Sequence, residues 1–287
     1  MYHNFYGFKE PPFNLTPNSK YFFSSAKHTE ALSTVLYAIN ERKGFCVVTG
    51  NIGSGKTTVC RALINQLDAN TKTAVITNTH LSAKDLLLTV LDDLEIEYER
   101  GSKARLHAQL NEYLIEQLMK DHNVVLIIDE AQNLTPSVLE EVRMLSNLET
   151  ENEKLIQIVF LGQPELKRKL ALPKLEQLRQ RIAVYFHLTQ LDEEDTRNYI
   201  FHRLKVAGGE KAQEIFTEGA IKAVYRYSQG TPRLINQICD SALLSGFIYE
   251  KKTIDEKIIN EVIGESPMTQ LMDTKAKYKE AEVVNSK

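Results

Sequence analysis

The chain has 287 residues, of which 43% are hydrophobic and 25% charged, and its formal net charge is −3. This is the composition of a globular protein with a sizeable core. Because the net charge is slightly negative, the overall charge does not indicate a nucleic-acid partner. No apolar run approaches the roughly 18–20 residues of a membrane helix, so no membrane span is expected. Three scattered cysteines and the lack of a signal-peptide pattern predict a reducing, cytoplasmic location.

The N-terminal segment, residues 1–28, is rich in aromatic residues, proline and asparagine. We expect it to be irregular and to pack on the body of the protein, because apolar groups at this density avoid water. A helix is predicted over 29–41 and a strand over 45–49. The loop behind this strand has the form G-x-x-x-x-G-K-[ST] and consists of Gly50, Asn51, Ile52, Gly53, Ser54, Gly55, Lys56 and Thr57, followed by Thr58.

This pattern is the phosphate-binding loop of nucleoside triphosphatases. Glycines allow successive backbone N–H groups to face the phosphates, and the following helix turns its positive end toward the same anion. Lys56 is expected to reach the β- and γ-phosphates, and the Thr57 hydroxyl to ligate Mg²⁺. The loop therefore predicts ATP and Mg²⁺ as cofactors.

Strands and helices alternate from residue 29 to 189, which predicts an α/β fold with a parallel sheet sandwiched by helices. Further strands are predicted at 73–77, 124–128, 156–161 and 183–188; helices are predicted at 55–68, 82–94, 103–121, 136–148 and 164–180. After residue 189 the patterns are helical only, at 192–207, 217–228, 231–249 and 255–263. We therefore predict an all-α lid domain over 190–265 and a disordered tail over 266–287.

Two acids follow the apolar run 124–128, as expected for the partner of a phosphate loop. Asp129 is predicted to hold the Mg²⁺ hydration shell, and Glu130 to act as general base toward the attacking water. The alternative is an acidic helix N-cap, but the next helix begins later, near residue 136.

Gln163 follows the strand 156–161 and precedes Pro164. A polar side chain at this strand tip is placed to sense the γ-phosphate and the attacking water. The alternative is a hydrogen bond that caps the turn before Pro164.

Three arginines are candidates for contacts with the phosphates. Arg181, directly before the last strand, is predicted to reach a neighbouring subunit's nucleotide, with Arg179 as the alternative; both could instead be solvated surface residues. Arg233 follows Gly230 and Thr231 at the start of a helix and is predicted to sense the nucleotide. An ordinary capped helix start is the competing interpretation.

With these residues in place, the chain resembles AAA+ ATPases of the ExeA/GspA type, first known from type II secretion. It is also similar to transposition-helper AAA+ ATPases of the TnsC/TniB type. The resemblance extends over about residues 1–265. The segments that carry it are 6–17, 21–23, 28–32, 129–132, 161–166 and 230–233.

The resemblance implies a ring or filament of identical subunits with arginines acting in trans, and it implies that the N-terminal segment flanks the adenine, with Tyr21 nearby. Three roles remain open. The chain is an energy-coupling or assembly factor for an envelope system (secretion, pilus or exopolysaccharide), a DNA-binding regulator, or a nucleotide-dependent switch with little turnover. Glu130 argues against the last, because a pure switch needs no base.

Overall fold

The computed structural model describes residues 2–16, 18–99, 101–151, 153–209 and 211–265. Contacts divide the chain into two units: an α/β unit, Ser24–Thr189, and a helical unit made of the described residues of Met1–Phe23 and Gln190–Lys287. The predicted boundary between the N-terminal segment and the ATPase domain was 28/29, whereas this division falls at 23/24. The predicted tail, 266–287, lies outside the described residues.

The α/β unit is built on a parallel sheet of five strands among the described residues, in the order β2-β3-β4-β1-β5. The strands are β1 (Phe45–Gly50), β2 (Thr71–Ile76), β3 (Asn123–Ile128), β4 (Gln157–Gly162) and β5 (Ile182–Leu188). Every residue of β1 and β4 is buried, as expected for strands covered on both faces. In β5, at one edge, half-buried and exposed residues alternate up to the buried Leu188.

Helices of the α/β unit connect the strands. They are α2 (Ala26–Asn40), α3 (Lys56–Gln66), α4 (Ala83–Asp93), α5 (Lys103–Met119), α6 (Pro136–Leu145), α7 (Pro164–Leu170) and α8 (Glu176–Arg179). Side-chain oxygens cap several of them, and Ser82 and Asp85 form a reciprocal capping box at α4. The core contains Phe45, Leu126 and Phe160 from three adjacent strands.

One predicted helix of this unit, 164–180, is wrong in its extent. The structure has α7, then a 3₁₀ turn at Pro173–Leu175, then the single turn of α8. Pro173 is the physical reason, because its ring disfavours helical backbone at the preceding residue. Leu172 is accordingly extended, with φ −61° and ψ 137°.

The helical unit contains α9 (Glu193–Val206), α10 (Ala212–Ile215), α11 (Glu218–Ser228), α12 (Pro232–Ile248) and α13 (Glu256–Glu265). The described residues of the N-terminal segment up to Phe23 pack within it, since Phe8, Phe13 and Tyr21 are buried in the same core as Ile200. This segment is not wholly irregular, because Tyr2–Tyr6 forms a short helix, α1. The hydroxyl of Tyr6 donates to the backbone carbonyl of Lys251, and the Phe5 ring lies 5.5 Å from that of Phe247.

Candidate nucleotide site

The predicted phosphate loop joins the end of β1 to the start of α3. Gly53 and Gly55 have φ of +78° and +97°, a left-handed conformation that glycine adopts without steric cost. Gly55 is the N-cap of α3, and no side chain caps the helix. The first backbone N–H groups of α3 are thus available to an anion at the positive end of the helix.

The space inside this loop suits a bound anion. The Ser54 hydroxyl oxygen is buried and has no hydrogen-bond partner among the described residues. A Cβ atom placed on Gly50 would lie 2.6 Å from that hydroxyl and 3.0 Å from the backbone oxygen of Leu188. The loop therefore has both a donor that lacks an acceptor and a backbone packed too closely for a side chain at Gly50.

Lys56 lies over the loop with little exposure to solvent. Its Nζ donates to the backbone oxygens of Gly50, at 2.8 Å, and Asn51, at 3.0 Å. Burial lowers the pKa of Lys56, and the carboxylates of Glu130 and Asp129 oppose this shift. Two neutral carbonyls are weak partners for a buried ammonium, so an anionic phosphate would be a stronger one.

Thr57 and Asp129 form the candidate metal position. The Thr57 hydroxyl donates to Asp129 Oδ2 at 3.1 Å. Burial raises the pKa of Asp129, while the Glu130 N–H and the Thr57 hydroxyl favour the carboxylate. Among the described residues no group of three or more His, Cys, Asp or Glu side chains could hold a metal alone. The pair itself presents a hydroxyl and a carboxylate oxygen, which are donors that Mg²⁺ takes from a protein alongside substrate phosphates.

Glu130 has a backbone φ of +53°, a conformation uncommon outside glycine. Its Oε2 atom accepts two side-chain amide hydrogen bonds, from Gln132 Nε2 at 2.5 Å and from Gln163 Nε2 at 3.2 Å. Gln163 is also the N-cap residue of α7 but makes no side-chain capping bond there, so the turn-capping alternative does not describe its amide. Sensing of the γ-phosphate by Gln163 stays a prediction.

Two residues of the site were not predicted. Gln132 lies in the segment 129–132 that supported the family resemblance, and this was the signal that could have indicated it. His28 is buried beneath the loop; its Nε2 contacts the backbone oxygen of Ser54 at 3.3 Å, and its Nδ1 lies 2.6 Å from the Ser25 hydroxyl. A Cβ on Gly55 would lie 3.0 Å from the same Nε2, so the ring supports the loop directly.

Arg181 directly precedes β5, at the amino-terminal ends of the strands, whereas the phosphate loop lies at their carboxyl ends. β5 is parallel to β1 and pairs Phe45 with Ile182 and Gly50 with Leu188, so Arg181 is about 20 Å from the loop at roughly 3.3 Å per residue. Its guanidinium donates to the Ser146 backbone oxygen at 3.3 Å. This position excludes contact with the phosphates of its own loop and leaves a role in trans as the prediction.

Arg179 and the remaining predicted residues have other surroundings. Arg179 is exposed, and its guanidinium donates to the Leu170 backbone oxygen at 3.3 Å. Arg233 lies in the first turn of α12, in the helical unit. The preceding Thr231 is the N-cap by position, but its hydroxyl accepts from Gln190 Nε2 at 3.1 Å instead of capping the helix.

Tyr21, expected near the adenine, is also in the helical unit. Its ring lies 4.5 Å from the Arg203 guanidinium, and its hydroxyl donates to Glu10 Oε1 at 2.9 Å. Burial raises the pKa of Tyr21 to about 12. The nucleotide contacts of Tyr21 and Arg233 stay predictions.

The sequence of the chain is similar to that of known proteins. A family model described as an AAA domain matches residues 39–170. General secretion pathway protein A from Aeromonas hydrophila is 44% identical over 248 residues, which are 86% of this chain and 45% of that protein. The chain thus spans less than half the length of this curated relative.

Solved structures share the fold at low identity. Cdc6p from Pyrobaculum aerophilum has a TM-score of 0.68 at 17% identity, covering 88% of this chain and 70% of that one. ORC2 from Aeropyrum pernix, solved as ADPNP–ADP complexes, has a TM-score of 0.64 at 12% identity, covering 90% and 72%. The Holliday junction branch migration motor RuvB from Thermotoga maritima has a TM-score of 0.57 at 17% sequence identity. The match covers 85% of this chain and 70% of that one.

The sheet order, the phosphate loop and the matched model define the chain as a P-loop protein of the AAA+ class, which confirms the predicted fold. Within that class, the resemblance to ATPases of the ExeA/GspA type is confirmed by the identity to general secretion pathway protein A. Proteins of this class bind nucleotides. Searched over the described residues alone, the chain has no helix with the length and apolarity to cross a membrane.

Proposed function

We propose that the chain binds ATP with Mg²⁺ at the phosphate loop and hydrolyses it to ADP and phosphate. One observation carries the proposal: the ends of β1, β3 and β4 bring Lys56, the Thr57–Asp129 pair and Glu130 with Gln163 to one edge of the sheet. This edge, at the carboxyl ends of parallel strands, is where ligands bind in open α/β sheets.

Each side chain has a distinct task in this reaction. Lys56 exchanges the carbonyls of Gly50 and Asn51 for phosphate oxygens, and the N–H groups at the start of α3 add further donors. Thr57 and Asp129 would hold Mg²⁺, which would supply positive charge to offset that of the phosphates. Glu130 accepts a proton from the attacking water, and Gln163 orients that water.

Hydrolysis is proposed to need a second copy of the chain. An arginine that lies a strand length from its own loop is suited to the nucleotide of a neighbouring subunit, where its charge offsets that of the transition state. Arg181 is our candidate, with Arg179 as the alternative. Activity should then depend on assembly into a ring or filament.

The cellular role proposed is energy coupling or assembly for an envelope system. Its support is the identity to a protein named for the general secretion pathway, which is an argument by analogy. DNA binding is the competing role. The basic residues Lys167, Arg168 and Lys169 on α7, with Lys174, are its compact candidate surface, and the chain as a whole has a net charge of −3.

The test is ATP turnover measured against protein concentration, with and without double-stranded DNA, at two salt concentrations. ATP turnover that rises with protein concentration and does not change when DNA is added supports the proposed envelope role. A further, salt-sensitive rise with DNA supports the DNA-bound role instead. Glu130→Gln should bind ATP and lose about 10²- to 10⁴-fold in turnover, and unimpaired turnover in this variant would remove Glu130 as the base.

A further inference from the structure

Gln132 connects the proposed base to the start of α7 through both ends of its carboxamide. Its Oε1 accepts from the Gln163 backbone N–H at 2.9 Å, and its Nε2 donates to Glu130 Oε2 at 2.5 Å. The orientation of the amide follows from its partners. A backbone N–H can only donate, so Oε1 must face Gln163, and the carboxylate then receives the NH₂ group.

The surroundings of Gln132 hold it in this position. A Cβ on Gly162 would lie 3.1 Å from Gln132 Oε1, so glycine leaves the space that the carboxamide uses. Lys169, further along α7, donates through Nζ to the backbone oxygens of Gln132 and, at 2.7 Å, of Leu134. The turn at residues 131–134 and helix α7 are therefore fastened together at two points.

We propose that Gln132 is a positioning residue that orients the Glu130 carboxylate and couples it to Gln163. The inference rests on the proposed ATPase function, in which Glu130 is the base. Among the described residues both hydrogen bonds to this carboxylate fall on Oε2, which leaves Oε1 for the proton of the attacking water.

In this proposal the two side-chain amides have different roles. The Gln163 side chain is the longer contact, at 3.2 Å against 2.5 Å for Gln132, and in the proposed reaction it leaves Glu130 to orient the attacking water. Gln132 then remains as the donor that keeps Glu130 in place. Its bond to the Gln163 N–H transmits a shift at the start of α7 to the base.

Two substitutions separate the two halves of this contact. Gln132→Glu keeps an oxygen for the Gln163 N–H but has no donor for Glu130, whereas Gln132→Ala lacks both. The matched control is Asn133→Ala, an exposed residue on the same turn. ATP turnover, the dissociation constant for a fluorescent ATP analogue, and amide hydrogen exchange of nucleotide-free protein are measured for each.

Both Gln132 variants should lose about 10- to 100-fold in kcat, the usual cost of removing a side chain that orients a reacting group. In Gln132→Ala, KM and nucleotide affinity should stay within about twofold, because no phosphate contact is lost. Gln132→Glu adds a negative charge beside Glu130, so its nucleotide affinity should fall as well. In nucleotide-free protein, exchange of the Gln163 amide should rise about three- to tenfold in Gln132→Ala, as expected for one lost hydrogen bond, and stay unchanged in Gln132→Glu. The Asn133→Ala control should match the parent chain in all three.

Comparison with Glu130→Gln distinguishes failure of this inference from failure of the proposed function. If Glu130→Gln abolishes turnover and the Gln132 variants keep it, Gln132 has no positioning role although the ATPase proposal stands. If Glu130→Gln turns over normally, or the parent chain hydrolyses no ATP, both fall. The double variant Glu130→Gln with Gln132→Ala should be no slower than Glu130→Gln alone, since Gln132 acts through Glu130; an additive loss would overturn the inference.

Discussion

Thr57 donates its hydroxyl hydrogen to Asp129 Oδ2 at 3.1 Å, which joins the start of α3 to the end of β3. The two residues are 72 positions apart in the chain. Their oxygens converge because β1 and β3 are parallel strands whose carboxyl ends lie at one edge of the sheet. This pair links the phosphate loop to the acidic strand end.

Replacing Asp129 should therefore change the dependence on Mg²⁺ rather than the affinity for the nucleotide itself. We expect Asp129→Asn to weaken Mg²⁺–ATP binding about tenfold or more, because an amide is a poorer ligand than a carboxylate for a hard cation. With EDTA present, the variant and the parent chain should bind ATP alike. Equal affinities in Mg²⁺ would show that Asp129 does not hold the ion.

His28 gives a prediction about acid stability. Burial lowers the pKa of His28, and its bond to the Ser54 backbone oxygen opposes this only in part. Between the folded pKa and the ordinary value of about 6.5, the unfolded chain binds more protons, so the free energy of unfolding rises with pH through this window and levels off above it.

The measurement is denaturant unfolding at pH 5.5 and 7.5 for the parent chain and for His28→Gln. The variant should lose less stability on acidification, by at most about 1.4 kcal/mol, because pH 5.5 lies about one unit below the ordinary pKa of histidine. Exposed His80→Gln is the matched control. An identical pH dependence in all three chains would show that His28 does not carry the effect.

Much of the α/β unit could be predicted because its signals are local. The strand, the loop from Gly50 to Thr57 and the helix after it follow each other directly in the chain. An apolar run that ends in Asp129 and Glu130 can also be recognised without knowing which strand pairs with it. The same locality accounts for the helix predicted over 164–180, because the helical spacing of apolar residues continues past Pro173, where the helix is interrupted.

The remaining contacts join residues that no pattern connects. Gln132 and Gln163 are 31 positions apart, and His28 and the Ser54 carbonyl are 26 apart. A glutamine that follows an acidic pair has the same local sequence whether or not its amide meets another strand end. Such partners depend on strand order, which periodicity does not determine.

The position of Arg181 leads to a complementation test. Arg181→Ala should leave ATP binding unchanged and reduce turnover of the assembled protein about 10³-fold or more, the range observed for arginines that act in trans. Arg181→Ala subunits have an intact Glu130, whereas Glu130→Gln subunits have an intact arginine. Mixing the two should restore part of the turnover.

The same mixing experiment, with Arg179→Ala in place of Arg181→Ala, tests the alternative trans arginine. If that variant and not Arg181→Ala is rescued by Glu130→Gln subunits, Arg179 is the trans residue. Should neither mixture recover turnover while each protein still binds ATP, the proposed action between subunits is wrong. Comparing melting temperatures of the arginine variants checks that loss of the Arg181–Ser146 contact has not unfolded the unit.

Arg203 fastens the N-terminal segment within the helical unit. Its buried guanidinium donates to the backbone oxygens of Pro12, at 2.6 Å, and Asn14, at 3.1 Å, and to the Tyr199 hydroxyl at 3.0 Å. The Tyr21 ring covers it at 4.5 Å. Three charge-assisted bonds and a ring contact converge on one side chain, so its removal leaves several buried acceptors unsatisfied.

We therefore expect Arg203→Leu to destabilise the protein by about 2–4 kcal/mol, since a buried hydrogen-bonded charge and its acceptors are separated. The N-terminal segment should then be released and cut by trypsin at Lys9 and Lys20. Arg197→Leu is the matched control on the same helix; it removes an exposed ion pair with Glu218 and should cost at most about 1 kcal/mol. Equal stability and equal trypsin resistance of the two variants would show that the segment is held by its aromatic side chains, Phe8 and Phe13 among them, without help from Arg203.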